Sequence, residues 1–407
     1  MLFCLLQERK AMIQKILHTP EGVRDIYNEE CEKKLTLENM MRKVFNSYGY
    51  RNIETPTFEF FDVFSREVGT IPSRELYKFF DREGNTLVLR PDFTPSIARA
   101  ASKYFMDEKQ PIRLCYQGNT FINNSSYQGR LKESTQLGAE LIGDASAEAD
   151  AEIIAMAVDA LLKTGLRDFQ ISVGHVQFFA GLVKEAGLDE HTEEELKQLI
   201  QNKNTFGVEK LLSEELIDPA LKEIFAQLPS LFGGEEILEK ALEMTKGREA
   251  SAALLRLGEV LELLKVYGME RYISFDLGML GNYMYYTGVI FRGYTYGVGD
   301  AVIKGGRYDS LLKHFGKDAP SIGFAVAVNQ LMNALARQKV EVLAEQGRYL
   351  ILYRQEARRE AILKAMDYRR QGRYAELRMI PEQEMNVSDQ KYISSGNYIG
   401  IIRIGDI

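Results

Sequence analysis

The sequence predicts an α+β protein organised around an antiparallel sheet with helices on its faces. Two strand-like runs, 113–121 and 133–142, flank a polar loop at 122–132, and apolar and polar residues alternate through both runs. Such alternation indicates an antiparallel hairpin with one polar face. Helical spacing of apolar residues at 28–48 and 147–164 predicts helices before and after this hairpin.

Gln136 and Glu140 lie on the polar face of the second run. Because they are four positions apart, both side chains point to the same side of a strand. A carboxylate and an amide can together bind a small polar ligand. A solvated strand face is the simpler interpretation, and this stretch alone favours it.

The chain before the hairpin contains a predicted edge strand. The helix at 28–48 ends at Gly49, and the next segment, 50–64, alternates like a strand. Pro56 lies inside that segment and cannot donate a hydrogen bond to a sheet, which predicts an edge, a bulge or an interface. The helix and the strand could together form a surface for self-dimerisation, or the strand could be an edge that the monomer itself covers. The sequence favours the two interpretations equally.

A second hairpin, with strands at 79–81 and 86–89, leads directly into a helix at 96–104. Asp92 and Thr94 lie at this junction between strand and helix. Ligand-binding groups are common at such junctions, but so are helix caps. Capping is the default interpretation of both residues.

The rest of the chain predicts an insertion and a second domain. A charged insertion made only of helices is predicted at 178–268, and β signals return in the tyrosine-rich stretch 271–297. Beyond Gly347 a small α/β unit of alternating strands and helices follows. The predicted domains are 1–335, which contains the insertion, and 347–407.

The composition limits the classes of function. The chain has 407 residues, of which 45% are hydrophobic and 27% charged, with a net charge of −7, the balance of a globular protein. An acidic total lowers the expectation of a nucleic-acid partner, because such partners need a basic face. No apolar run is long enough to span a membrane.

Metal and cofactor sites are not predicted. The three cysteines and four histidines are scattered, which predicts reduced thiols in a cytoplasmic protein and no metal cluster. The Walker loop and the dinucleotide-binding fingerprint are both absent, so no cofactor is expected.

Six blocks in a fixed order carry a family resemblance. They are the helix and strand around Pro56, LRPDFT, the YQGNTF…QGRLKESTQLGAELIG hairpin, YYTG, GGRYD and SIGFAVAV. Across residues 20–335 they resemble histidyl-tRNA synthetase, a class II aminoacyl-tRNA synthetase. The resemblance implies the class II antiparallel sheet flanked by helices, a helical insertion, and a dimer formed through the first motif. The C-terminal unit resembles a truncated anticodon-binding domain, so no tRNA is expected as a partner.

Three departures from the synthetase pattern coincide. Ile122, Gly281 and Gln330 occupy positions where the family carries arginines that handle ATP and the adenylate. Such cations stabilise charge that develops on the α-phosphate, and the loss of one typically costs on the order of a hundredfold in rate. The departures therefore predict a chain that is not an enzyme and has no catalytic residue.

The positions that the resemblance assigns to free histidine are retained. The implied set is Asp92, Thr94, Gln136, Glu140, Tyr285 and Tyr286. Glu140 would accept a hydrogen bond from an imidazole N–H, with Gln136 beside it. Asp92, which is shorter than the family's glutamate, would take the α-ammonium with Thr94. The two tyrosines would form a wall against the imidazole.

Two arginines are retained as candidate anion-binding residues. Arg130 and Arg307 could pair with a carboxylate or a phosphate. A surface or structural salt bridge is an equally favoured interpretation of each.

This combination of retained and lost residues resembles the regulatory subunits of ATP phosphoribosyltransferase, synthetase-like proteins of histidine biosynthesis. The resemblance implies a non-catalytic chain that joins the short catalytic subunit in a hetero-octamer, activates it and mediates feedback inhibition by histidine. That catalytic subunit condenses ATP with phosphoribosyl pyrophosphate. Two alternatives remain open: a divergent, active histidyl-tRNA synthetase, and a module that reports histidine to a translation or transcription factor.

Overall fold

The computed structural model of the chain contains two compact units. The described residues are 17–64, 71–124, 131–213, 215–281, 285–342, 348–380 and 398–405. The first unit comprises Met1–Asp25 and Glu38–Glu341, and the second comprises Ile26–Leu37 and Val342–Ile407. The domain limits expected from the sequence stay predictions.

Among the described residues, nine strands form the large sheet of the first unit. They are β1 (Arg51–Asn52), β5 (Ile112–Phe121), β6 (Glu133–Ile142), β7 (Phe169–His175), β8 (Phe232–Gly233), β9 (Ile273–Asp276), β10 (Val289–Thr295), β11 (Ile303–Arg307) and β12 (Ser321–Ala327). Their order across the sheet is β1-β5-β6-β12-β11-β10-β7-β9-β8. β1 is parallel to β5 and β7 to β9, whereas the other neighbours are antiparallel. The α+β class with a mainly antiparallel sheet is confirmed.

A smaller antiparallel sheet lies in the same unit. Its central strand is β4 (Thr86–Leu89), with β2 (Phe58–Phe60) and β3 (Lys78–Phe80) on either side. Pro56 falls between β1 and β2, so the single strand predicted at 50–64 is in fact two short strands. Both are edge strands, β1 of the large sheet and β2 of the small one, as Pro56 predicted.

Helices cover the large sheet and build the insertion. Those of the described residues up to 342 are α1 (Asn28–Ser47), α2 (Thr94–Tyr104), α3 (Ala147–Lys163), α4 (Val176–Ala186), α5 (Glu190–Gln201), α6 (Thr205–Ser213), α7 (Pro219–Gln227), α8 (Glu235–Met244), α9 (Ser251–Val266) and α10 (Val328–Arg337). The insertion predicted at 178–268 contains α5 to α9 and most of α4. The expectation that it holds helices alone is wrong, because the two-residue strand β8 lies within it and pairs with β9.

The helix α3 forms the centre of the core behind the sheet. Small and branched apolar residues fill it, and most positions from Ala147 to Leu161 are buried. The Ser146 hydroxyl accepts a hydrogen bond from the Ala149 N–H and so caps the first turn. α3 packs between the sheet and α9.

The hairpin β5–β6 lies beside β12 and has the predicted antiparallel pairing. Its register places Glu140 between Leu114 of β5 and Gly323 of β12. The expectation of a solvated face is wrong for Glu140, whose exposed fraction is 1%. Segments far away in sequence cover this end of the hairpin, and they create the site described below.

The described residues of the second unit hold a parallel three-stranded sheet, one complete helix and the first part of α1, residues 28–37. The strands β14 (Tyr374–Met379) and β15 (Tyr398–Ile404) flank β13 (Arg348–Tyr353), and α11 spans Arg358–Arg370. The short polar helix expected before the last strand falls at 381–397, outside the described residues. Within the described ranges of both units, no helix is long and apolar enough to cross a membrane.

Candidate ligand-binding site

Glu140 lies at the centre of an enclosed polar site on one face of the large sheet. The Thr94 hydroxyl donates to its Oε1 at 2.9 Å, and the Tyr308 hydroxyl donates to its Oε2 at 2.5 Å. On β12, a Cβ at Gly323 would lie 1.6 Å from Oε2, so only glycine leaves room for the carboxyl group. Three distant segments of the chain therefore converge on this one side chain.

The electrostatic environment of Glu140 disfavours its ionised form. Burial raises the pKa of the carboxyl to about 8; the hydrogen bonds from Tyr308 and Thr94 oppose this rise, and the Asp92 carboxylate adds to it. Burial also raises the pKa of Tyr308, with a further contribution from Glu140. Within the described part of the chain, no cation contributes to the pKa of Glu140.

Asp92 and Thr94 lie at the start of the helix α2. The helix α2 starts at Thr94, two residues before the predicted start. Asp92 Oδ1 accepts a hydrogen bond from the adjacent Phe93 N–H at 2.7 Å. Phe93 is the N-cap residue and no side chain caps the helix, so the capping interpretation is wrong for Asp92. Thr94 instead donates to Glu140. Burial raises the pKa of Asp92, so two carboxyl groups with raised pKa values lie close together.

Tyr285 and Tyr286 lie beside the same site. The Tyr285 ring centroid is 4.8 Å from that of Tyr286 and 5.8 Å from that of Tyr308. Tyr285 is 9% exposed, and the ring of Tyr286 packs on Gly306, where a Cβ would lie 2.7 Å from Cε1. The two tyrosines and Tyr308 thus form a continuous aromatic cluster beside Glu140; a contact of the first two with an imidazole stays a prediction.

Gln136 presents a buried oxygen on the same strand as Glu140. Its Oε1 is buried and accepts no hydrogen bond from the described residues. Buried side-chain oxygens nearly always accept a hydrogen bond from protein, water or ligand. Gln136 is therefore suited to accept a hydrogen bond from a ligand donor.

Arg307 points to the opposite face of the sheet. Gly306 pairs with Gly323, which in turn pairs with Glu140, so these three residues share one face of the sheet. Because successive residues of a strand point to opposite faces, the side chain of Arg307 points to the other face. Its guanidinium is buried and forms an ion pair with Asp150, with Nε–Oδ1 at 2.9 Å. It also donates to backbone carbonyl groups and to Asp309. An anion at Arg307 would have to displace one of these partners. Arg130 lies outside the described residues.

The three positions at which the resemblance implies arginines hold neutral residues. Ile122 donates its backbone N–H to the Lys132 carbonyl at 2.9 Å. Asn329, beside Gln330, accepts a hydrogen bond from the Thr135 N–H at 3.0 Å and so ties α10 to β6. Gly281 is the last described residue before 285. None of these three positions offers a positive charge to a phosphate.

Tyr308 and Gly323 are the site residues that sequence reasoning missed. Both lie in blocks that carry the family resemblance, GGRYD and SIGFAVAV, which is the signal that could have singled them out. Tyr308 is 168 positions away from Glu140 in sequence, and only the order of strands in the sheet brings the two together.

Comparisons with known proteins show the family of the chain. The family model for histidyl-tRNA synthetase matches residues 22–331. An ATP phosphoribosyltransferase regulatory subunit from Acetivibrio thermocellus is 43% identical over 96% of this chain and 92% of its own length. Another, from Caldanaerobacter subterraneus subsp. tengcongensis, is 41% identical over 89% of this chain and 94% of its own length.

A solved structure extends the comparison to the fold. It is described as an ATP phosphoribosyltransferase regulatory subunit/histidyl-tRNA synthetase from Bacillus halodurans, and it superposes with a TM-score of 0.82 at 34% identity. The match covers 95% of this chain and 98% of that one, which confirms the synthetase-like fold. The chain belongs to the family of ATP phosphoribosyltransferase regulatory subunits, which share the fold of histidyl-tRNA synthetases.

Proposed function

We propose that this chain is a histidine sensor that regulates ATP phosphoribosyltransferase in histidine biosynthesis and does not itself activate histidine. Its partner is the short catalytic subunit, with which it forms a hetero-octamer in the cytoplasm. Without histidine the chain activates the catalytic subunit, and with histidine bound it inhibits the complex. No tRNA is needed for this role.

The observation that carries the proposal is the enclosed site around Glu140. Its described groups are carboxyls, hydroxyls, an amide and aromatic rings, so they suit a ligand that brings N–H donors and positive charge. Histidine brings an imidazole N–H for Glu140 and an α-ammonium for Asp92. The buried oxygen of Gln136 can accept from either group.

The lost arginines support binding without activation. Transfer to ATP needs cations where negative charge develops on the α-phosphate. The residues at the family's arginine positions are Ile122, Gly281 and Gln330. A chain with this set can hold histidine, but it cannot stabilise the transition state of adenylation.

Feedback inhibition follows if histidine binds more tightly to one arrangement of the complex than to another. Such coupling between two sites is typically about 1–3 kcal/mol and is reciprocal. Histidine changes the affinity of this chain for the catalytic subunit by some factor. The catalytic subunit must therefore change the affinity of this chain for histidine by the same factor.

Self-pairing of the chain is part of the proposal. Phe58, Phe60 and Phe79 share one face of the small sheet, as the pairing of β2 and β3 with β4 requires. Their exposed fractions are 51%, 56% and 37%. Exposed faces with several aromatic residues commonly mark protein interfaces, so this face is assigned to a second copy of the chain.

The test is the phosphoribosyltransferase activity of the complex made with the short catalytic subunit, measured against histidine concentration. Glu140→Ala and Gln136→Ala should leave activation intact and raise the histidine needed for half-inhibition by about tenfold or more. Glu239→Ala changes an exposed carboxylate of the insertion and should behave as the wild type. Unchanged inhibition in both site variants would show that the pocket is misassigned. Failure of the wild-type chain to activate the catalytic subunit would overturn the whole proposal.

A further inference from the structure

We infer that Glu140 is protonated in the free chain and releases its proton when histidine binds, and that Tyr308 is the positioning residue that holds its carboxyl group. This inference rests on the proposed function. Beyond the proposed function, it states that histidine binding releases a proton. It also assigns a role to Tyr308, which was not among the residues expected to bind histidine.

The first support is the burial of the carboxyl group among neutral partners. Glu140 is 1% exposed, and the hydroxyls of Thr94 and Tyr308 each form a hydrogen bond with one of its two oxygens. A hydroxyl can accept a hydrogen bond as well as donate one, so either neighbour can accept the O–H of a protonated carboxyl group. Gly323 lies against Oε2 and leaves no space for another side chain there. Water therefore hydrates this group poorly in the free chain.

The second support is the set of titratable groups that face Glu140. Asp92 lies before α2, Tyr308 follows β11, and Tyr116 lies on β5. Asp92 is acidic and a tyrosine carries no positive charge in either protonation state, so these described groups bring no positive charge. An isolated carboxylate in such surroundings takes up a proton instead of remaining charged. The pKa of about 8 agrees with a neutral Glu140 at pH 7.

The third support is the chemistry of the ligand. An N–H donor or an ammonium group next to the carboxyl stabilises the ionised form, which lowers the pKa of Glu140. The carboxyl O–H bond then breaks, the electron pair stays on the oxygen, and the proton passes to solvent. Histidine affinity must consequently rise with pH until Glu140 is ionised in the free chain as well.

Tyr308 holds the carboxyl group in position for this step. Its ring is buried and packs edge-on against Tyr285 with centroids 5.8 Å apart, which fixes the hydroxyl beside Oε2. The hydrogen bond from Tyr308 favours the ionised carboxylate and lowers its pKa. Removal of the hydroxyl must therefore raise the pKa of Glu140 and make its ionisation harder.

The proton is counted by calorimetric titration of histidine at pH 7 in two buffers of different ionisation enthalpy. The wild-type chain should release close to one proton more than Glu140→Gln, in which the amide cannot ionise.

Infrared difference spectra should show a protonated-carboxyl band that disappears on addition of histidine and is missing from Glu140→Gln. Equal proton release in the two chains, with no carboxyl band lost, would overturn the inference while leaving histidine binding intact. Absence of any histidine binding to the wild-type chain would overturn both the inference and the proposed function.

The positioning role is tested with Tyr308→Phe, which keeps the ring and removes the hydroxyl. Histidine affinity at pH 7 should fall by about tenfold or more, and the rise of affinity with pH should shift to higher pH. Tyr296→Phe removes the hydroxyl of a tyrosine that is 78% exposed and should change neither quantity. An affinity loss in Tyr308→Phe without a shift of the pH profile would reduce Tyr308 to a packing role.

Discussion

At the scale of single residues, the site depends on the absence of a side chain at position 323. A Cβ there would lie 1.6 Å from Glu140 Oε2, so Gly323→Ala must push the carboxyl group away from Tyr308. We expect histidine affinity to fall by about tenfold or more in a calorimetric titration. Gly299→Ala is the control, because no atom lies within 4 Å of its Cβ position. Normal affinity in Gly323→Ala would contradict the placement of Glu140.

The same carboxyl group makes stability depend on pH. Its pKa rises from 4.5 to about 8 on folding, so its contribution is fully present below about pH 4.5 and is lost as the pH rises through about 8. Glu140→Gln has no such loss. Relative to the wild type, the variant should therefore gain a few kcal/mol in free energy of unfolding between about pH 5 and about pH 9. Urea unfolding at the two pH values measures this gain, and an equal difference at both values speaks against a buried neutral Glu140.

For single residues, the sequence predicted the face on which a side chain lies better than it predicted the residues in contact with that side chain. The alternation along β6 put Gln136 and Glu140 on one face, because that depends on local strand geometry alone. It also suggested solvent on that face, since the covering residues come from remote segments. Tyr308 could not be assigned for this reason: its contact with Glu140 joins positions 168 residues apart.

At the scale of elements, a buried ion-pair network joins β11 to α3 and α9. Asp150 of α3 is fully buried and pairs with Arg307 at 2.7 Å and with Arg256 at 2.8 Å. Arg307→Ala leaves the Asp150 charge short of a partner, which should lower the free energy of unfolding by about 3 kcal/mol or more. Lys304→Ala, on the same strand, breaks only an exposed pair and should cost about 0.5 kcal/mol or less. Urea unfolding measures the free energy of unfolding of both variants. A similar loss of stability in the two would contradict a structural role for Arg307.

The elements themselves were predicted where local pattern decides them. The hairpin strands differ from the prediction only in that β5 begins one residue earlier, at Ile112, because period-two alternation runs through both. β8 was missed, since a two-residue strand has no periodicity and exists only through its pairing with β9. Pro56 indicated an edge correctly, but it could not show that the chain passes there from one sheet to another.

At the scale of the whole molecule, the small sheet offers a test of self-pairing. Phe60 and Phe80 are both exposed, but the register with β4 places them on opposite faces of that sheet. Phe60→Glu buries a charge in the proposed interface and should convert the dimer to a monomer in sedimentation analysis. Phe80→Glu has the same chemistry on the other face and should remain dimeric. A dimer in both variants would place the contact elsewhere.

For the whole molecule, we propose that a synthetase fold holds histidine without activating it. Histidine-dependent ATP–pyrophosphate exchange by the purified chain, at a histidine concentration that calorimetry shows to be saturating, tests this most directly. We predict full histidine occupancy and no exchange above the level without histidine. Exchange that requires histidine and is lost in Glu140→Ala would instead establish a working synthetase.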